Sequence, residues 1–188
     1  MMRVEGVRPA AAIRSRLVAF VMLVGATAAG GWLLTTESQA QASDVLTACP
    51  ADAECVTIHT ATGDHIFTVE WAIEPDQRSC GLMFREEMAA DHGMIFDFEF
   101  ERQVSFWMRN TLIPLDMIFI RADGEVANIA EFTTPLSLEG VPSDGPVRYV
   151  LELNGGVAGL IGLRPGDMIT VDRAESMTEG TAICFPPI

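Results

Sequence analysis

The residues best suited to chemistry fall in one stretch, Ser105-Phe106-Trp107-Met108-Arg109-Asn110-Thr111, followed by Pro114-Leu115-Asp116-Met117. Strand alternation sets Trp107 and Arg109 on one face, opposite inward Phe106 and Met108. A Trp beside a guanidinium can stack on it and form a platform for a planar or sugar-like ligand. Asn110 and Asp116 flank Ile113-Pro114, where the chain must bend. Arg85, Arg109, Asn110 and Asp116 could therefore ring one concave spot, with Trp107 and Met83 as its apolar floor. The more ordinary reading is structural: an Arg109–Asp116 or Arg85–Asp116 ion pair holds the loop, and Trp107 covers the core edge.

The second candidate group is the cysteines. Cys49, Cys55, Cys80 and Cys184 make an even count with three connectivities. In an oxidising compartment they are expected to form disulfides. A bridge from the Cys49/Cys55 pair to Cys184 would pin both termini and stabilise by ~3–5 kcal/mol. The sharper alternative makes Cys80 a nucleophile, which needs a nearby base or helix N-terminus to lower its pKa. No C-x-x-C pair supports zinc.

Other constellations are weaker. His92 and Met94, with Met83, Met88, Met108 and Met117 nearby in sequence, hint at a soft-metal site for Cu(I). Methionine on inward strand faces ordinarily fills core gaps instead. There is no G-x-S-x-G, H-E-x-x-H or Walker loop. Asp97, Glu99 and Glu101 could be paired acids, but alternation places them on a solvated strand face. No cofactor is implied.

These residues must be positioned by mostly β elements. Cys55–Thr60 and Ile66–Trp71 read as strands around a turn at Thr62-Gly63-Asp64. Pro75 suits the first turn of a helix running to about Phe84 or Met88. Met94, Phe96, Phe98 and Phe100 alternate with the three acids, giving a strand with one buried face. Val104, Phe106 and Met108 form a second inward row. Met117–Ile120 and Val126–Ala130 flank Asp123-Gly124, the strongest short hairpin signal. Val147, Tyr149, Leu151 and Leu153 alternate in another strand. Asn154 could cap a short helix ending near Gly162, before Arg164-Pro165-Gly166-Asp167 turns the chain into Met168–Val171. The expected fold is mainly β (α+β), a compact barrel-like or two-sheet domain of about seven short strands with two short helices.

Three strings carry a family resemblance: Gly81-Leu82-Met83-Phe84-Arg85; the Ser105–Met117 string; and Gly162-Leu163-Arg164-Pro165-Gly166-Asp167. In that order and spacing they resemble the domain-of-unknown-function 192 (DUF192) family of bacterial and archaeal proteins, over about residues 55–172. The resemblance implies a compact β-rich domain with minor helices, frequently behind a signal peptide or membrane segment. It implies no established activity, substrate or cofactor. Cys80 stands where family members have a charged or polar residue, so the cysteine framework looks like a local addition.

Charge and the first residues set the surroundings. Of 12 basic residues, all Arg, four precede residue 43, while 26 acids bring the whole chain to −14. Residues 43–188 hold 8 Arg against 24 acids, a net of −16. Such a body is repelled by nucleic-acid phosphates and anionic lipid. Arg3, Arg8, Arg14 and Arg16 precede an apolar run from Leu17 to Leu34, and Ala40-Gln41-Ala42 follows. This reads as a Sec-type secretory signal peptide, with an uncleaved inner-membrane anchor as its rival. Ser15 breaks a twin-Arg signal, and Cys49 lies far from the apolar run for a lipoprotein box.

The expected organisation is a signal at 1–42, a cysteine-bearing segment at 43–54, a β-rich domain at 55–172 and a tail with Cys184 at 173–188. The expected location is periplasmic or secreted, with membrane contact only through an uncleaved N-terminus. The favoured role is a small-ligand-binding or accessory module, whose partner is a small molecule or protein, with no strong claim to enzymology. The rivals are a hydrolase or transferase using Asp116 or Cys80, and a periplasmic copper-binding protein using His92 and methionines.

Overall fold

Short β-rich runs punctuated by Gly, Pro and Asp build nearly all of the ordered architecture. The computed structural model describes residues 48–50 and 53–171. All of them fall in one compact unit, Gln41–Ile188. The expected signal at 1–42 and the tail with Cys184 lie outside the described residues. Among the described residues no helix is long and apolar enough to cross a membrane.

Strands β1 (Cys55–Thr60) and β2 (Gly63–Ala72) pair as an antiparallel hairpin. Helix α1 (Pro75–Cys80) follows, then β3 (His92–Arg102) and the short β4 (Ser105–Phe106). Next come β5 (Leu115–Ile120), β6 (Val126–Thr133), the short β7 (Val141–Pro142) and β8 (Val147–Asn154). Helix α2 (Val157–Ile161) and β9 (Met168–Val171) complete the order. Seven strands form one sheet in the order β6-β5-β8-β3-β2-β1-β9, and β4 pairs with β7 in a second, small sheet. Every pairing is antiparallel except β2 with β3, so residues 73–91 must cross over between them.

The large sheet curls into a half-barrel. Its far strands approach where Val126 N–H donates to Asp167 O at 2.9 Å and Ile169 N–H to Gly124 O at 2.9 Å. Both faces of the sheet are covered. One carries Val56, Ile58, Ile95, Ile118 and Leu151 with Ala158 and Ile161 of α2. The other carries Met94, Phe96, Met117, Phe119 and Val150, closed over by Leu82 and Met108. Phe106 meets Phe96 edge-on at 4.9 Å between ring centres, an arrangement that adds ~0.5–1.5 kcal/mol beyond burial.

The expected mainly β fold is thus formed, with several local differences. Helix α1 stops at Cys80 rather than Phe84 or Met88, because Gly81 (φ 51) and Phe84 (φ 64) leave the right-handed region. Met94 and Phe96 are buried as expected, but Phe100 is 77% exposed. A register shift between Asp97 and Arg102, with Glu99 at φ 65, breaks the alternation there. Asp97 is itself buried and pairs with Arg148, which leaves only Glu99 and Glu101 on the expected solvated face. Helix α2 starts from Gly156, not Asn154, whose amide instead donates to the carbonyls of Met88 and Ala89.

Candidate functional site

A cavity of about 440 Å³ opens between α1 and its following turn on one side and the end of β3 with β4 on the other. That volume is within the ~300–1,000 Å³ usual for small-molecule sites. Phe96, Phe98, Phe106 and Trp107 supply aromatic wall. Arg78 and Arg102 bring charge, and Leu82, Met83 and Thr111 contribute further lining. The arginines are positioned by aromatic stacking: Arg78 lies 5.3 Å and Arg102 4.8 Å from the centre of the Phe98 ring. Arg78 also donates to the carbonyl oxygens of Ile73 and Asp97.

Glu152 on β8 also lines this cavity, and it is only 4% exposed. Among the described residues its carboxyl has no hydrogen-bond or ionic partner. Strand pairing sets it between Met94 of β3 and Met117 of β5, both in the apolar core of that face. Burial in this setting disfavours the charged form and pushes its pKa up to about 8. A buried acid kept largely neutral at pH 7 can donate a hydrogen bond into the cavity as well as accept one.

The six candidates from the sequence divide. Met83 and Trp107 line the cavity, and Trp107 is 46% exposed. Arg109 stacks over Trp107 at 4.2 Å, but β4 ends at Phe106, so the expected strand alternation does not extend to these two residues and a turn at 109–110 places them instead. Asn110, at φ 57, donates its amide to the Met83 sulfur at 3.7 Å. Arg85 is instead engaged with both carboxylate oxygens of Glu70, at 2.5 and 2.6 Å.

Asp116 belongs to a different structure altogether. It is fully buried and accepts from the backbone N–H groups of Phe132 (2.8 Å), Gly156 (2.9 and 3.0 Å) and Ala158 (2.8 Å). These bonds fasten the first turn of α2 to β5 and to the end of β6, satisfying donors that a helix start leaves open. Neither expected pair, Arg109–Asp116 or Arg85–Asp116, forms, because the Asp116 oxygens are taken by backbone donors and Arg85 by Glu70. A ring of Arg85, Arg109, Asn110 and Asp116 is therefore not assembled.

Cys49 and Cys55 bond to each other, with 5.9 Å between their Cα atoms. The N-terminal pair is thus not the tether to Cys184 that the sequence suggested. Cys80 is also disulfide-bonded, which removes the nucleophile reading, and its other half lies outside the described residues. Met94 is 5% exposed in the core, and His92 Nδ1 bonds the Asp91 carboxylate at 2.7 Å. His59 bridges Asp64 and Thr170 at 2.8 Å on each side. That array crosses β2, β1 and β9 on exposed surface, where it acts as a hydrogen-bond ladder between strands.

Glu152, Arg78 and Arg102 are marked by no motif or spacing in the sequence. The available signal for Glu152 was a single carboxylate inside Tyr149-Val150-Leu151-Glu152-Leu153. Alternation alone sets it on the face opposite Leu151 and Leu153. Only the central place of β8, with cores on both faces, buries it.

The family model for DUF192, described as an uncharacterized ACR (COG1430), matches residues 57–171. A crystal structure from Sinorhizobium meliloti 1021, described as a candidate transcription regulator, is 49% identical. The match covers 62% of this chain and 92% of that one, with a TM-score of 0.61. A protein of unknown function from Novosphingobium aromaticivorans DSM 12444 is 42% identical, with coverage of 62% and 83% and a TM-score of 0.61. No curated protein matches the sequence. The family match spans more than half of the chain and contains all three motif strings, and the chain belongs to the DUF192 family.

Proposed function

We propose that this domain is a small-ligand-binding module that works outside the cytoplasm and uses the cavity beside Glu152. The observation that carries the reading is Glu152, a residue 4% exposed whose carboxyl has no partner among the described residues and which borders an aromatic-walled cavity. Buried polar groups are nearly always satisfied within the protein, and an exception in a cavity suits a group that is completed by a ligand. Trp107 and the adjacent arginines supply stacking surfaces suited to a planar molecule.

The test is ligand-dependent thermal stabilisation across a small-molecule panel, in native protein and in Trp107→Ala. The expected result is stabilisation by a chemically related subset, weakened in Trp107→Ala. Loss of folding stability in Trp107→Ala, with no ligand found in either protein, overturns the reading. Export is supported by the basic-apolar-small pattern of residues 1–42. Fractionation of a Gram-negative host, with N-terminal sequencing of the product, checks it. Protein confined to the cytoplasm with an intact first segment overturns export.

A further inference from the structure

The arginines of the described residues fall into two groups. Arg85, Arg121 and Arg148 each face a carboxylate, namely Glu70, Glu125 and Asp97. Arg78, Arg102 and Arg109 have no carboxylate partner among the described residues, although residues 43–188 carry three acids for every arginine. Arg78 and Arg102 line the cavity, and Arg109 backs its Trp107 wall. Arg164, on the turn before β9, is the remaining one without an acidic partner. Unneutralised guanidinium groups are thus concentrated at the cavity of an otherwise acidic body.

Their surroundings hold them in place. Arg78 and Arg102 both pack against the Phe98 ring, and two backbone carbonyls fix Arg78. A guanidinium oriented by carbonyls and an aromatic face keeps its charge and free donors for a planar anion.

We propose that the cavity takes a small organic monocarboxylate with an apolar, preferably aromatic, body: the carboxylate meets Arg78 and Arg102, and the body lies along Phe96, Phe98 and Phe106 toward Glu152. This rests on the reading of the cavity as a ligand site and names the class of its ligand. Among the described residues the charged groups bordering the cavity with Glu152 are Arg78 and Arg102; Cys80 is disulfide-bonded, and Met94 and Met117 flank Glu152 from β3 and β5. Held neutral by burial, Glu152 does not repel the anion near pH 7 and can donate to a polar substituent at its inner end. As pH rises through about 8, its ionisation places a negative charge beside the ligand, and binding weakens.

The experiment is isothermal titration of the full chain with phenylpropanoate, phenylpropanol and phenylpropylamine, which share one body and differ in head group. Phenylpropanoate is expected to bind at least about tenfold more tightly than the alcohol, with the amine weakest. Arg102→Gln, at an exposed position, is expected to erase most of that preference while circular dichroism stays native. Between pH ~6.5 and ~9.5 phenylpropanoate binding should weaken in native protein and stay level in Glu152→Gln. Equal or tighter binding of the alcohol or amine, or a preference that survives Arg102→Gln, overturns the carboxylate assignment and leaves the ligand site standing. Failure of all three probes to bind at millimolar concentration overturns both.

Discussion

Two buried acids sit one residue apart in strand register. Asp116 on β5 lies opposite Leu153 on β8, and Glu152 on β8 lies opposite Met117 on β5. Alternation points them to opposite faces of the same strand pair. Asp116 is surrounded by backbone donors from β6 and α2, whereas Glu152 meets methionines and an open cavity. Both are at most 4% exposed, so burial alone does not tell a structural acid from a functional candidate. Hydrogen-bond satisfaction does: one carboxylate is consumed in holding the fold, and the other is left for something outside it.

Breaking the satisfied side of this contrast should have the largest effect. Asp116→Ala strands three backbone N–H groups, that of Ala158 buried and those of Phe132 and Gly156 partly buried, and is expected to cost about 2–5 kcal/mol in urea unfolding. Asp116→Asn keeps one acceptor oxygen and should lose less. A loss below ~1 kcal/mol in Asp116→Ala would show that water replaces the carboxylate and would erase the distinction between the two acids.

Glu152 should act in the opposite sense. Its pKa is raised from 4.5 to about 8 in the folded state, so the native form binds more protons than the unfolded chain between those values. Its contribution is fully present below the unfolded pKa and is lost as pH rises through the folded one. Stability is therefore expected to fall by about 2–4 kcal/mol across that window, less than the full shift would give because the cavity admits water. Glu152→Gln should flatten this dependence and be the more stable protein on the alkaline side. Parallel stability–pH curves for the two proteins would place Glu152 among ordinary solvated acids.

Two smaller substitutions sharpen the contrast. Gly156 has φ 92, and an added Cβ would lie 2.6 Å from Phe132 Cε2, against the segment Asp116 holds. Gly156→Ala should cost about 1–3 kcal/mol by thermal unfolding. Arg85→Ala removes a pair whose side chains are 35% and 49% exposed, so the expected change is below ~1 kcal/mol. It should also leave the pH dependence from Glu152 unaltered, separating a surface pair from the cavity.

The sequence made local features legible because their causes are local. Asp123-Gly124 does join β5 to β6, and the Val147–Leu153 alternation is a strand. The motif strings correctly identified the family. Features that depend on distant partners were harder to read. Phe100 leaves the core because of the bulge after Asp97, and the start of α2 is served by Asp116 from β5, not by a neighbour in sequence. For the candidate site, Met83 and Trp107 were found at the cavity because they lie within specific strings. Glu152 and the Phe98-stacked arginines were not, since packing of residues 75–83 against 102–107 creates their common surroundings.

The parallel pairing of β2 with β3 has a consequence for how this fold can diversify. Parallel neighbours cannot be joined by a tight turn, so any chain with this strand order must spend a long link between Ala72 and His92. Much of the cavity wall, from Pro75 to Met83, is made from that link, while Glu152 stands on the central sheet beneath it. Relatives could therefore exchange the α1 portion of the wall, residues 75–79, and acquire a new specificity without disturbing a single strand pairing, whereas Leu82 is held by the core and Gly81–Arg85 belong to a family motif. The topology separates the part of the molecule that must stay constant from the part that is free to be rewritten.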